Sequence, residues 1–164
     1  MPTAPPAVDE GTFVQWVRPS LLAMTRLAAR LVPGDDVDDV VQEAVERAWR
    51  TRGRYDPERG TPTTWLLAIT ASAAHDARRR TWRRQRLADA APPDRPDVGA
   101  NHDVDLDRAI DALPRRQRLA VHCFYFLDLP VADTAQVMGC SVGTVKSALH
   151  DARKALRHTL GDDS

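Results

Sequence analysis

An all-α fold of two small helical domains is what this sequence predicts, and three observations carry it. Apolar residues recur at three- and four-residue steps almost without interruption. No stretch of alternating polar and β-branched residues stands out as a strand. Residues 88–104 are rich in Ala, Pro and Asp, contain Gly99 and show no periodicity, which describes a flexible acidic linker. The expected division is a first domain at 10–87, the linker at 88–104 and a second domain at 105–160.

The elements follow in order. A short leading helix is expected through Phe13, Trp16 and Val17. The first of three main helices runs from Pro19 to Val32, with Leu21, Met24, Leu27, Ala28 and Leu31 as one apolar stripe and Pro33-Gly34 as the stop. The second extends from Asp36 to about Arg52, where Val37, Val40, Val41, Ala44, Val45, Ala48 and Trp49 form its apolar face. Aspartates at its start and arginines at its end match the helix macrodipole. Its other face presents Asp39, Gln42, Glu43 and Glu46. Residues 53–61 read as a turn-rich loop. Thr61 then caps a third helix with Pro62 in its first turn, carrying Trp65, Leu66, Ile69, Ala73 and Ala77 inward and ending in a basic run.

In the second domain, Leu106, Ala109, Ile110 and Leu113 face one way on a short helix. Pro114 opens the next, whose core stripe is Leu119, Ala120, Cys123, Phe124 and Leu127. A helix-turn-helix follows, because the segment supplies the three things that motif needs. Ala135 is the small residue where the helices cross, Gly139 makes the turn, and Val137, Val142, Val145 and Leu149 are the apolar anchors. Ser141 caps the helix expected to enter a major groove, leaving Thr144, Lys146, Ser147 and His150 outward.

The formal net charge of zero hides strong segregation. Residues 78–86 contain six arginines and no acid, whereas residues 87–111 contain seven aspartates against two arginines. Cys123 and Cys140 are far apart and lack clustered partners, so they are expected as small core residues, with neither disulfide nor metal site. No nucleophile–base pair or phosphate loop is visible, and His75, His102, His122, His150 and His158 are scattered, so neither enzyme chemistry nor a cofactor is expected. The first residues lack a basic stretch ahead of an apolar run, and no segment approaches the roughly 18 apolar residues that span a bilayer. A cytoplasmic protein is the expectation.

Residues 112–118 (ALPRRQR) and 133–153 (DTAQVMGCSVGTVKSALHDAR) closely resemble region 4 of bacterial extracytoplasmic-function sigma factors. Upstream, residues 38–50 (DDVVQEAVERAWR) resemble their polymerase-binding helix of region 2. The stretch from Trp65 through Asp76 to Arg80 resembles their promoter-melting helix. The resemblance covers most of residues 12–160 and implies a dissociable, non-enzymatic subunit that directs core RNA polymerase to promoters. By matching positions it assigns Asp39, Gln42, Glu43 and Arg47 to the polymerase clamp. Ser141, Thr144, Lys146 and Ser147 fall to the minus-thirty-five duplex, with Arg115, Arg116 and Arg153 on phosphates. Arg78, Arg79, Arg80, Arg83 and Arg84, with the loop at 53–60, fall to the single-stranded minus-ten element. Trp82 is left as either a base-stacking platform or a packing residue. An anti-sigma protein is the further implied partner.

The chain departs from the family pattern at several positions. Ala71-Ser72 stand where Arg-Asn is usual, Pro62 or Val45 where an aromatic is usual, and Ala148 and Asp151 where arginines are common. The last two are expected to remove positive charge near phosphates. These departures keep a second reading open, a polymerase- or DNA-binding regulator without promoter opening.

Overall fold

The computed structural model describes residues 9–88 and 102–161, and among them there are helices and no strands. Helices α1 (Glu10–Val17), α2 (Leu21–Leu31), α3 (Val37–Thr51) and α4 (Pro62–Leu87) form the first lobe. Helices α5 (His102–Asp111), α6 (Arg115–Val121), α7 (Val131–Met138) and α8 (Val142–Leu160) form the second. The short leading helix thus adds a fourth to the expected three. Most of the expected linker, 89–101, lies outside the described residues, and α5 begins within the stretch read as linker.

Local chemistry sets the helix starts. Asp9 caps α1 by accepting the Thr12 amide at 2.8 Å. Pro19 falls in a 3₁₀ turn, Arg18–Ser20, just ahead of α2. Thr61 caps α4, its hydroxyl accepting the Thr64 amide at 3.2 Å, and Pro62 occupies the first position, where no amide is needed. At 26 residues α4 is the longest helix described, long enough to leave its basic end beyond the core.

The apolar stripes meet as expected. Phe13, Val17, Met24, Leu27, Val40, Ala44, Leu66 and Leu67 are all buried in one cluster. Ile110, Leu113, Ala120, Val121, Val145, Leu149 and Ala152 fill a second. The two lobes, however, do not keep separate cores. Leu119, Cys123 and Val137 belong to the first cluster, so the second lobe lends side chains to the core of the first. Burying side chains of this size contributes about 1.5–3 kcal/mol each relative to exposure. Val142 is another correction, since it is 41% exposed and anchors nothing, while Ala148 takes an inward position.

The end of α6 widens into a π-type turn, His122–Phe126, in which the Leu127 amide reaches the His122 carbonyl at 3.0 Å. Asp128 then takes a left-handed φ of 54°, which aspartate tolerates better than most residues. The wide turn directs His122 inward. It is 2% exposed, and neither ring nitrogen has a hydrogen-bond partner. Burial, reinforced by the positive charges of Arg30, Arg118 and Arg78, pushes its pKa down to about 4.

This burial has a consequence for stability. An imidazole that protonates more readily unfolded than folded binds its proton first in the unfolded chain, so stability is highest above the ordinary pKa and falls as pH drops from 6.5 towards 4. We expect about 2 kcal/mol of stability to be lost between pH 7 and pH 5 through this group. His75, whose pKa is also lowered by burial and by Arg115, adds a contribution of the same sign. His122→Leu should flatten the dependence in chemical denaturation at the two pH values. An unchanged slope would remove His122 as its source.

Candidate nucleic-acid interface

Gly139 ends α7 with φ +63°, a conformation that L side chains rarely adopt. The Cys140 amide donates to the Ala135 carbonyl at 3.1 Å, closing the tight turn. Ser141 then takes an extended backbone and accepts the Thr144 amide at 3.1 Å, while the two hydroxyls lie 2.9 Å apart. Thr144 is therefore half-buried and held by the cap, whereas Ser141, Lys146, Ser147 and His150 are exposed. The expected reading surface is thus largely presented as one exposed face.

Ala148 sits elsewhere. It is 7% exposed within the second cluster, so an arginine there faces the protein interior and no phosphate contact is lost by its absence. Asp151 is exposed and does bring negative charge to the outer face. Arg115 and Arg116 are exposed at the start of α6, and Arg153 donates to the Tyr125 hydroxyl at 3.1 Å. Arg118 instead turns inward to the carbonyls of Asp111 and Leu113, and burial together with nearby Arg78 lowers its pKa.

The basic end of α4 separates into two groups. Arg79, Arg80, Arg83 and Arg84 are exposed, while Arg78 is half-buried and donates to the Leu31 carbonyl at 3.1 Å. Trp82 is 59% exposed with Arg86 over its ring at 4.6 Å, so it packs into no core. Ahead of α4, the loop is pinned by an aromatic cluster. The Tyr55 ring is edge-on to Trp16 and Trp65 at 5.5 Å each, and its hydroxyl donates to the Gly60 carbonyl at 3.1 Å. Beside it lies a cavity of about 260 Å³ lined by Arg54, Tyr55, Asp56, Arg59, Thr64 and Trp65, with Gln136 and Gly139 of the second lobe. Tyr55 lies inside the loop at 53–60 assigned from sequence but was not singled out within it, although an aromatic inside a turn-rich loop was the available signal.

On α3, Asp39 and Gln42 are exposed as expected for a docking face. Glu43 and Arg47 are not free. Arg47 pairs with Glu43 and also reaches Asp76 of α4 at 2.9 Å, and Arg80 meets Glu43 at 3.0 Å. Burial alone raises the pKa of Glu43, but the bonds from Arg47 and Arg80 outweigh it and hold the carboxyl below its ordinary value. For Arg47 the same partners outweigh burial and raise its pKa. The face assigned to polymerase and the helix assigned to DNA are thus joined by one charge network.

Comparison with known proteins places both lobes. Residues 16–84 match the sigma-70 region 2 family and residues 103–156 match sigma-70 region 4. The chain is 35% identical over 163 residues to the ECF RNA polymerase sigma factor SigF of Caulobacter vibrioides, covering 94% of this chain and 86% of that protein. It is 33% identical over 142 residues to the ECF RNA polymerase sigma factor SigM of Mycobacterium tuberculosis, covering 84% and 70%. The fold matches CnrH in complex with the cytosolic domain of CnrY, with a TM-score of 0.68 and 26% identity over 96% of this chain and 93% of that one. It also matches the sigma factor RpoE in complex with the anti-sigma factor NepR from Bartonella quintana, with a TM-score of 0.69 and 24% identity over 94% and 100%. With region 2 and region 4 in one chain and relatives of the same kind matched over most of this chain, this protein belongs to the ECF family of RNA polymerase sigma factors.

Proposed function

We propose that the chain binds core RNA polymerase and directs it to promoters, with residues 10–87 working at the minus-ten element and residues 105–160 at the minus-thirty-five element. The observation that carries this reading is the pairing, in one chain, of an exposed helix-turn-helix face with an exposed arginine-rich helix end. Ser141, Thr144, Lys146 and Ser147 meet duplex bases and backbone, and Arg115 and Arg116 hold phosphates. Arg79, Arg80, Arg83 and Arg84 track the opened strand electrostatically, with Trp82 offering a ring on which a base stacks. Arg78 contributes from a more buried position. Asp39, Gln42, Glu43 and Arg47 dock on the polymerase, where Glu43 and Arg47 first exchange their internal partners.

The subunit is non-enzymatic and works in the cytoplasm, where promoters are. No helix among the described residues is long and apolar enough to cross a membrane. An anti-sigma protein is its expected regulator, as in the complex of the sigma factor RpoE with the anti-sigma factor NepR. Run-off transcription with core polymerase and genomic promoter fragments tests the reading, since binding without open complexes contradicts it. Lys146→Ala should weaken duplex binding and shallow the salt dependence by about one unit in the log–log slope. A slope identical to that of the unaltered chain would show that Lys146 touches no phosphate.

A further inference from the structure

Asp151 is the single acid of α8, and the helix turns it outward. Val145, Ala148, Leu149 and Ala152 pack into the second cluster, which leaves Gly143, Lys146, Ser147, His150 and Asp151 exposed on the other side. Asp151 follows Ser147 by four residues, which places the two on one row at a rise of about 6 Å. Two base-pair steps cover nearly the same distance, about 7 Å. A helix that brings Ser147 to one base edge therefore brings Asp151 to a neighbouring one.

The carboxylate is not engaged within the protein. Among the described residues Asp151 takes part in no ion pair. Arg153, two positions on, is drawn instead to the Tyr125 hydroxyl at 3.1 Å. Lys146, Lys154 and Arg157 are exposed on the same helix, and their charge lets DNA approach a face that also carries one acid.

The groove restricts what such a group can meet. An ionised carboxylate only accepts hydrogen bonds. Phosphates and the guanine edge offer acceptors alone, and thymine offers an acceptor and a methyl group. Donors in the major groove come from adenine N6 and cytosine N4. Adenine carries the N7 lone pair beside its amine, which faces the second carboxylate oxygen unfavourably, whereas cytosine has a C–H there. Cytosine is the base edge that suits Asp151.

We propose that Asp151 is a specificity-determining residue of the reading helix, its carboxylate accepting a hydrogen bond from the N4 amine of a cytosine in the minus-thirty-five duplex. This rests on assigning that duplex to α8. Any other base at the same position leaves the carboxylate without a donor or against a lone pair, so selection comes from rejection as well as attraction.

The test is selection from promoter fragments randomised over the minus-thirty-five element, using core polymerase with the full chain. The unaltered chain should select a cytosine at one position where Asp151→Ala shows no preference, with the rest of the site unchanged. Asp151→Asn should move that preference to adenine, because a carboxamide pairs with N6 and N7 together. On one selected site, replacing this cytosine by 2-pyrimidinone, which lacks only the N4 amine, should weaken binding about tenfold for the unaltered chain and less than about twofold for Asp151→Ala. Identical selected sites in all three chains, a lost preference for a base other than cytosine, or equal losses on the analogue with and without Asp151 overturn the contact. Uniformly tighter binding of every sequence by Asp151→Ala overturns it too, since Asp151 then only repels phosphates. Failure of the unaltered holoenzyme to select any sequence instead counts against the sigma-factor reading itself, so the two failures are distinct.

Discussion

Ala135→Leu is expected to abolish specific duplex binding while leaving the first lobe folded. Ala135 is 5% exposed, packed in the second cluster with Val145 and Leu149, and its carbonyl accepts the Cys140 amide that closes the turn. Three extra carbons at this crossing have no space to occupy, and overpacking of this kind costs about 1–3 kcal/mol or forces the helices apart. Separation tilts α8 away from the geometry at which Ser141 and Lys146 are proposed to meet the groove together. A loss of at least about tenfold in affinity follows, since 1.4 kcal/mol is already a factor of ten. Mobility shift of promoter duplex by the reconstituted holoenzyme measures it. All four tryptophans lie in the first lobe, so their emission checks independently that this lobe is intact. Duplex affinity at the level of the unaltered chain contradicts the assigned crossing.

Tyr55→Ala should have the larger effect on promoter opening. The ring is 8% exposed, contacts Trp16 and Trp65, and ties the loop to α4 through the bond to Gly60. Removing a buried aromatic costs about 3–5 kcal/mol, whereas Tyr55→Phe forfeits one hydrogen bond worth about 1 kcal/mol. The alanine variant should therefore denature at lower urea and yield few permanganate-reactive thymines at temperatures where it remains folded. The phenylalanine variant should open promoters nearly as well as the unaltered chain. Equal loss in both variants would shift the role from loop shape to the hydroxyl itself.

What the sequence revealed and what it hid divide along physical lines. The α4 start at Thr61-Pro62, the Gly139 turn and the Ser141 cap were legible because each depends on the chemistry of neighbouring residues. Periodicity likewise identified apolar faces, but it does not say which neighbour covers them. Leu119 and Cys123 read as core of their own lobe and instead complete the core of the other. Val142 and Ala148 were exchanged for a related reason, since both lie near the edge of the stripe on α8 and only packing against α5, α6 and α7 decides which turns inward. Glu43 with Arg80, separated by 37 residues, and Arg30 with Phe126 left no local signal at all. Pairings of that kind arise from the approach of whole helices.

Trp82 has an optical consequence. The other three tryptophans sit in the ring cluster with Phe13 and Tyr55, while Trp82 projects from the arginine-rich end of α4. The chain's emission therefore divides into a blue-shifted, shielded fraction and a red-shifted fraction open to collisional quenchers. Iodide, drawn in by the surrounding guanidinium groups, should extinguish the second fraction first. Nucleic acid arriving at that helix end displaces the iodide and covers the indole, so protection from quenching times strand capture without any attached dye.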